Sequence, residues 1–464
     1  MKILKYSIYL SFLLVLGGCS GFLDVNSDPT RVSVDEVGVD VLLPTVIEGT
    51  SSAHFSEGYY ASRVTHHLDG VSSGYYEKFT MSGAWSTIYL KNLNNLEVLI
   101  DKAKEEGSVY YAGVAKILKA VNLGLLTDSW EDIPYSEALQ GSNNVTPKYD
   151  KQEAIYSAIQ SILDEAITDL SSNDNFRDLG KDDFIYGGDV AKWTRLAHSL
   201  KARFMVHLSN KSGMDWNAVL NETSKGLSSN DDDFQLIYPA EIANPWYKSI
   251  SKKITESIYT LTYGAYFVDN LNGVNFGVLD PRILALVEKS DTTPGYHGNA
   301  GYDEEAVPYN VLPTINTFYM KPESPLVMMS YSELKFIEAE AAIKAGNVDL
   351  AQTAYEEAVS ANMQKILGND GGTYLEDAGI STVNLQNVMT QKHVALVFSP
   401  EAWNDMRRYD FNSDVFKNFV VPEYNGRTEP GQRAVYPSTE SSRNKANYEA
   451  NLKEFTEKMW KDKN

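Results

Sequence analysis

The chain has 464 residues and a formal net charge of −21, from 41 Lys and Arg against 62 Asp and Glu. Such acidity argues against nucleic acid or an anionic membrane surface as partner, because phosphates are bound by lysine and arginine. The only cysteine is Cys19, which excludes a disulfide framework and a thiolate metal site.

The first residues read as an address. Lys2 and Lys5 precede an apolar run, Ile8 to Leu16, which closes on Gly17, Gly18 and Cys19. A short positive region, an apolar core of fewer than ~15 residues and small residues at its end describe an export signal rather than a membrane span. The Leu-Gly-Gly-Cys ending resembles a bacterial lipobox, so residues 1–18 are expected to be a removed signal peptide and Cys19 the lipidated first residue. Membrane attachment is then expected through the lipid, with residues 19–464 forming one domain. From Ser20 to about Tyr60 the turn formers and lack of helical period suggest an extended tether, with a first helix opening near Val41 to Ile47.

His54 to Ser86 gathers Tyr59, Tyr60, His66, His67, Tyr75, Tyr76, Phe79 and Trp85 among Gly70, Gly74 and Gly83. Aromatic residues on glycine-rich loops are poorly explained by a repeating core, and loops on a rigid scaffold are where binding residues concentrate. The paired histidines lack a carboxylate or further histidine at a helical spacing that would complete a metal site, so no metal is expected.

Helical pairs follow. Trp85, Tyr89, Leu93, Leu96 and Leu99 keep a helical period, as do Ala112, Ala115, Leu118 and Asn122, with Gly107 as the break; this gives a pair over about 85–127. The same period puts Trp85 on a core-facing stripe. TDSWEDIPYSEAL, residues 127–139, reads as a structural corner turned by Pro134. A second pair spans about 149–209, in which Arg195, Lys201 and Arg203 are expected to face solvent or neighbouring helices. Residues 210–325 have the weakest period. There the acidic triplet Asp231 to Asp233 is expected to be solvated, and Tyr296, Tyr302, Tyr309 and Tyr319 form a second aromatic loop set.

The stretch after Pro325 is the clearest. Leu334, Ile337, Ala341 and Ala345, then Leu350, Ala354, Ala358 and Val359, mark two amphipathic helices over about 327–367. Gly346 can take the positive φ that ends the first, and Asp349 lies close enough to cap the second or favour its dipole. Ala339, Gly346, Ala351, Tyr355 and Ala358 also fall at the small, turn, small, large and small positions of a tetratricopeptide unit. One such unit cannot bury its apolar face alone, so the others must stack on it. A last pair, about 383–409, ends in Arg407 and Arg408, expected to be internal ion-pair partners. The expected fold is mainly α: tetratricopeptide-like hairpins forming a right-handed scaffold, packed against a loop-rich half with few short strands.

Several of these pieces carry a family resemblance. FLDVNSDPT and LLPT near the mature start, WSTIYLKNLNNLEVLIDKA, TDSWEDIPYSEAL, KWTRLAHSLKARFMVHLS, STVNLQNVMTQKHVALVFSPEAWNDMRRYDF and the closing RAVYPSTESSRNKANY together resemble the SusD/RagB-like outer-membrane lipoproteins of Bacteroidetes. Within them, the Asn-x-Asp-Pro branch is the nearest in pattern. The resemblance implies a surface lipoprotein that captures a nutrient, most often an oligosaccharide and sometimes a peptide, for a SusC-like TonB-dependent transporter. A surface glycosidase, which would need a carboxylate pair in the groove, and a structural adaptor that binds no small ligand are the other readings. No Gly-x-Ser-x-Gly, His-Glu-x-x-His or phosphate loop occurs, so neither catalysis nor a cofactor is expected. The candidate ligand residues are Tyr59, Tyr60, Tyr75, Tyr76 and Trp85, joined by Tyr296 and Tyr302.

Overall fold

The computed structural model describes residues 37–70, 79–258, 261–301, 307–378, 381–421 and 429–463. Cys19, the Asn-x-Asp-Pro segment, Tyr75, Tyr76 and Tyr302 lie outside them. The helices used below are α1 (Val39–Val64), α2 (Asn94–Glu106), α3 (Val109–Trp130), α4 (Gln152–Leu170), α5 (Val190–His207), α6 (Trp216–Thr223), α7 (Tyr331–Ala345), α8 (Val348–Leu367), α9 (Leu385–Ala395) and α10 (Glu401–Arg408). Neighbours in this order pack as antiparallel hairpins, α2 on α3, α3 on α4 and α7 on α8, with α7 also touching α6 and α9. The strands are short and pair only two by two: β1 (Leu68–Gly70) with β5 (Leu261–Tyr263), β2 (Ile133–Pro134) with β3 (Tyr149–Asp150), β4 (Phe234–Ile237) with β8 (Pro325–Met329), and β6 (Glu288–Lys289) with β7 (Val311–Leu312). The mainly α, repeat-like expectation therefore holds.

Local chemistry sets the hairpin ends. Ser330 accepts a hydrogen bond from the Glu333 amide and opens α7, a Ser-x-x-Glu start in which the cap oxygen satisfies an otherwise unpaired donor. Gly346, at φ 78°, closes α7 in the left-handed conformation that a Cβ would penalise. Asn347, not Asp349, then caps α8 by accepting from the Leu350 amide, while Asp349 sits in the first turn, where its charge favours the dipole. Helix α3 is long and apolar enough to cross a membrane, yet 83% of its apolar window is buried inside the fold, as befits a core helix.

Two expectations are corrected. The aromatic stretch from His54 is not a loop at its start, because α1 runs unbroken to Val64 and carries Tyr59 and Tyr60 on its last turns. Its glycines serve close packing rather than turning: a Cβ on Gly58 would stand 2.3 Å from the Phe398 carbonyl oxygen. Of the acidic triplet only Asp231 is solvated. Asp232 and Asp233 are buried, held by Arg195 at 2.8 Å and Lys365 at 2.6 Å. A run of like charges read as a solvated face because its partners lie far away in sequence.

The repeats are stitched by buried arginines. Arg203 on α5 meets Glu333 on α7 at 2.7 Å, and Arg408 on α10 reaches Glu340 on α7 while also contacting Asp405 at 2.8 Å. Asp405 in turn receives Lys392 of α9 at 2.9 Å. The expected internal pairing of Arg408 is thus met, and Arg407 is buried as well, donating to the Asp128 and Gln432 carbonyl oxygens. Removing one member leaves an uncompensated buried charge, which typically costs ~3–5 kcal/mol. Glu340→Ala should therefore lower the unfolding free energy by about that amount in urea denaturation, and Glu340→Ala with Arg408→Met should recover part of the loss.

Candidate functional site

The loop-rich half meets α1 where β1 pairs with β5, with Leu68 opposite Tyr263 and Gly70 opposite Leu261. Asn299 fastens this junction. It accepts the Ala265 amide at 2.8 Å, gives its own amide to the Tyr263 carbonyl at 2.8 Å, and donates its side-chain nitrogen to the Gly70 carbonyl at 3.1 Å. Gly264 is required there, since a Cβ would lie 2.4 Å from the His66 carbonyl oxygen. The chain that leaves at Gly70 toward Tyr75 and Tyr76 and the chain that leaves at Gly301 toward Tyr302 consequently start from one point.

Tyr296 belongs to the same corner. Asn272 donates to its carbonyl oxygen at 2.9 Å, Lys289 stands 5.6 Å over its ring, and the neighbouring His297 amide donates to buried Asn310 at 2.8 Å. Residues 294–297 are thus a fixed platform with a half-buried tyrosine, not a free loop.

The segment from Gly70 returns to the described chain at Phe79, whose ring stacks on Tyr60 at 5.3 Å. From there aromatic contacts run without a break. Tyr60 meets Tyr59 edge-on at 5.6 Å, Tyr59 stacks on Trp246 at 6.3 Å, Trp246 meets Phe398 at 4.6 Å, and Phe398 meets Tyr263 of β5 at 6.2 Å. The two roots of the Tyr75 and Tyr76 segment are therefore joined by a ridge of rings. Tyr59, Tyr60 and Phe55 on this ridge remain half-exposed, while Trp246, Phe398 and Tyr263 form its buried footing.

Trp85 stands apart. It is 5% exposed, packed edge-on against Trp130 at 5.1 Å and against Tyr436, in keeping with its place on the helical stripe. The ring contacts tie Tyr59 and Tyr60 to the roots of the Tyr75 and Tyr76 segment, Tyr296 stands three residues before Asn299, which bonds to one of those roots, and Trp85 is packed in the core. Trp246, Asn299 and Asn310 went unnoticed in the sequence. A lone asparagine in a loop carries no periodic signal, and nothing marked Trp246 as a neighbour of α1.

Beneath the ridge lie four neutral histidines. His67 and His393 stack at 4.0 Å, each donating its Nε2 proton to a backbone carbonyl, of His393 and of Thr65 respectively, at 2.8 Å. Burial holds His54 and His66 down to about 3 and His393 to about 4, and pushes His67 well below its ordinary value. Next to them burial pushes the Asp69 carboxyl up to about 7, against the Gly70 amide and Arg63. Among the described residues, one set of metal-type side chains converges: Asp128, His207 and Glu401. It is already matched by cations. Lys461 lies 3.6 Å from Asp128 and Arg203 3.7 Å from Glu401, and, against the cost of burial, the two carboxylates raise His207. This is an ion network that joins α3, α5 and α10 and leaves no ligand atom for a metal.

A scaffold of helical hairpins that carries half-buried tyrosines beside the roots of loop segments is an arrangement suited to binding. Comparison with known proteins gives the family. The SusD-like profile, described as starch-binding associating with outer membrane, matches residues 45–437, and the chain belongs to that family. Among solved structures, a SusD/RagB family protein from Bacteroides thetaiotaomicron aligns over 92% of this chain and 99% of its own at 24% identity and a TM-score of 0.75. A SusD homolog from Bacteroides uniformis covers 91% and 99% at 21% identity and 0.74. A chitin-binding SusD homolog from Flavobacterium johnsoniae covers 92% and 99% at 19% identity and 0.74. No curated protein matches the chain.

The histidines imply acid sensitivity. Their folded pKa values lie below the unfolded value near 6.5, so below that pH the unfolded chain takes up protons the folded one refuses, and stability falls. Each fully titrating histidine adds a slope of ~1.4 kcal/mol per pH unit. His207, Asp69 and Glu57, all raised in the fold, oppose this. In urea titrations from pH 6.5 to 5, His67→Gln should therefore lose less stability on acidification than the parent.

Proposed function

We propose that the chain is a cell-surface lipoprotein, anchored through Cys19, that binds an oligosaccharide and delivers it to a SusC-like TonB-dependent transporter in the outer membrane. The observation that carries this reading is the unbroken ring ridge from Phe79 to Tyr263, which supports two half-exposed tyrosines under the roots of the Tyr75, Tyr76 and Tyr302 segments. Sugar rings present flat C–H faces that pack on aromatic side chains, and a rigid footing lowers the ordering cost of such contacts. Tyr59, Tyr60, Tyr75, Tyr76, Tyr296 and Tyr302 are the ligand contacts we assign. Trp85 acts from below by fixing the helix that follows Phe79. Family membership and the chitin-binding description of one structural neighbour favour neutral glycans over peptides as the first class to test.

Calorimetry against malto-, chito- and other neutral oligosaccharides is expected to give saturable binding by at least one series. Tyr60→Ala and Tyr296→Ala, like Tyr75→Ala with Tyr76→Ala, should each cost ~1 kcal/mol or more, about fivefold in affinity, because stacked aromatics are the usual energetic centre of such sites. Unchanged affinity in all three would remove the site assignment. Purification of the lipidated chain from its native membrane should bring with it a large β-barrel protein, and recovery of the chain alone would remove the delivery role.

A further inference from the structure

A preformed cleft of about 240 Å³ opens where the π-helical turn Thr87–Leu93 faces the β2–β3 connection and the helix Ser438–Arg443. Its walls are apolar: Trp85 and Tyr89 at the back, and Leu90, Leu139 and Val145 at the rim. These last three are among the exposed large hydrophobic side chains, 75%, 38% and 71% accessible. Soluble surfaces scatter such residues singly; here three converge on one hollow.

Polar side chains in and behind the walls brace the cleft, while the Ser86 and Thr439 hydroxyls and Glu440 stand on its polar edge. Tyr89 donates its hydroxyl to the Pro134 carbonyl at 2.7 Å, and Asp150 accepts the Tyr135 and Ser136 amides at 3.0 and 2.8 Å. Lys148 holds Glu137 at 2.6 Å, Tyr149 donates to Glu440 at 2.7 Å, and Asn444 and Asn447 tie down the Pro147 carbonyl. Leu139 itself is held at φ 62°, a left-handed conformation that a leucine adopts only when its surroundings impose it. The walls are therefore rigid before anything binds.

One charge is left over. Arg443 lines the cleft, is exposed, and makes no hydrogen bond or ion pair among the described residues. In a chain of net charge −21, an uncommitted guanidinium beside an aliphatic and aromatic hollow is complementary to an anion with an apolar body. The rim is aliphatic, and the volume lies just under the range that holds drug-sized ligands.

We propose that this cleft is a second binding site, separate from the tyrosine-bearing loops, for a fragment-sized organic acid whose aromatic or branched aliphatic body fills the hollow and whose carboxylate pairs with Arg443. The Arg443 fork donates to the carboxylate, Leu139 and Val145 close over the apolar body, and Tyr89 offers its ring with its hydroxyl already engaged.

The test is calorimetry or saturation-transfer NMR of the full soluble chain with 4-phenylbutyrate and its uncharged analogue 4-phenylbutanol. Saturable binding of the acid is expected, stronger than that of the alcohol. Arg443→Gln should weaken the acid about fivefold and leave the alcohol unchanged, as a solvent-accessible ion pair predicts. Val145→Asp, on an exposed loop, should abolish binding of both through lost apolar wall and added repulsion. Both variants should melt like the parent and retain its oligosaccharide affinity, which separates failure here from failure of the glycan reading. Absence of saturable binding by the acid, or equal affinities for acid and alcohol that Arg443→Gln leaves unchanged, overturns the proposal.

Discussion

Buried guanidinium groups must find carboxylates or carbonyl oxygens, and this requirement holds the molecule together. Arg203, Arg282, Arg407, Arg408 and Arg433 are each 4% exposed or less. Each bonds to a group remote in sequence: Arg203 to Glu333, Arg282 to Asn362 and Gln391, Arg407 to the Asp128 carbonyl, Arg408 to Glu340, and Arg433 to Glu131. Apolar packing among small residues lets helices slide past one another at little cost. A buried ion pair does not, because a displaced charge loses its partner without regaining water. The arginines therefore fix the relative register of hairpins that the repeat pattern alone leaves adjustable.

The same logic connects scaffold to surface. Arg282 sits in the loop-rich half but bonds to Asn362 on α8 and Gln391 on α9, so the half that bears Tyr296 is pinned to the repeats. Two residues further along α9, His393 stacks on His67 and pins the end of α1 to the same helix, next to the β1–β5 junction. The tyrosines consequently stand on a footing built from three remote parts of the chain. Rigid footing matters for a binding surface made of aromatic rings, since their contact area counts toward affinity only when little conformational freedom is lost on binding. The cleft around Arg443 follows a parallel design, with polar side chains used to stiffen walls that are themselves apolar.

What the sequence revealed and what it concealed divide along the range of the interactions. Helical hairpins are local: periodic apolar residues, the caps at Ser330 and Asn347 and the left-handed Gly346 act within a few residues of one another, so the mainly α repeat fold and the inward role of Trp85 were legible. The internal pairing of Arg408 was legible for the same reason, since Asp405 lies one turn away. Arrangements that depend on remote partners were not. The Asp231 to Asp233 triplet read as solvated because Arg195 and Lys365 are invisible from it, and Tyr59 and Tyr60 read as loop residues because glycine signals a turn unless another backbone, here that of Phe398, approaches the helix closely.

The sequence by itself determined that this chain would stack helical hairpins, carry aromatic residues in two separated stretches and lack recognisable catalytic groups, all properties set by residue identity and short spacing. Only the tertiary structure decided that Asn299 joins the chain at Gly70 to the chain that leads to Gly301, that Tyr60 stacks on Phe79, and that Arg443 faces an apolar cleft without a partner. Those facts depend on which distant surfaces meet when the hairpins pack. That meeting is governed by complementary shape and buried charge pairing across hundreds of residues, for which no local pattern stands as a sign.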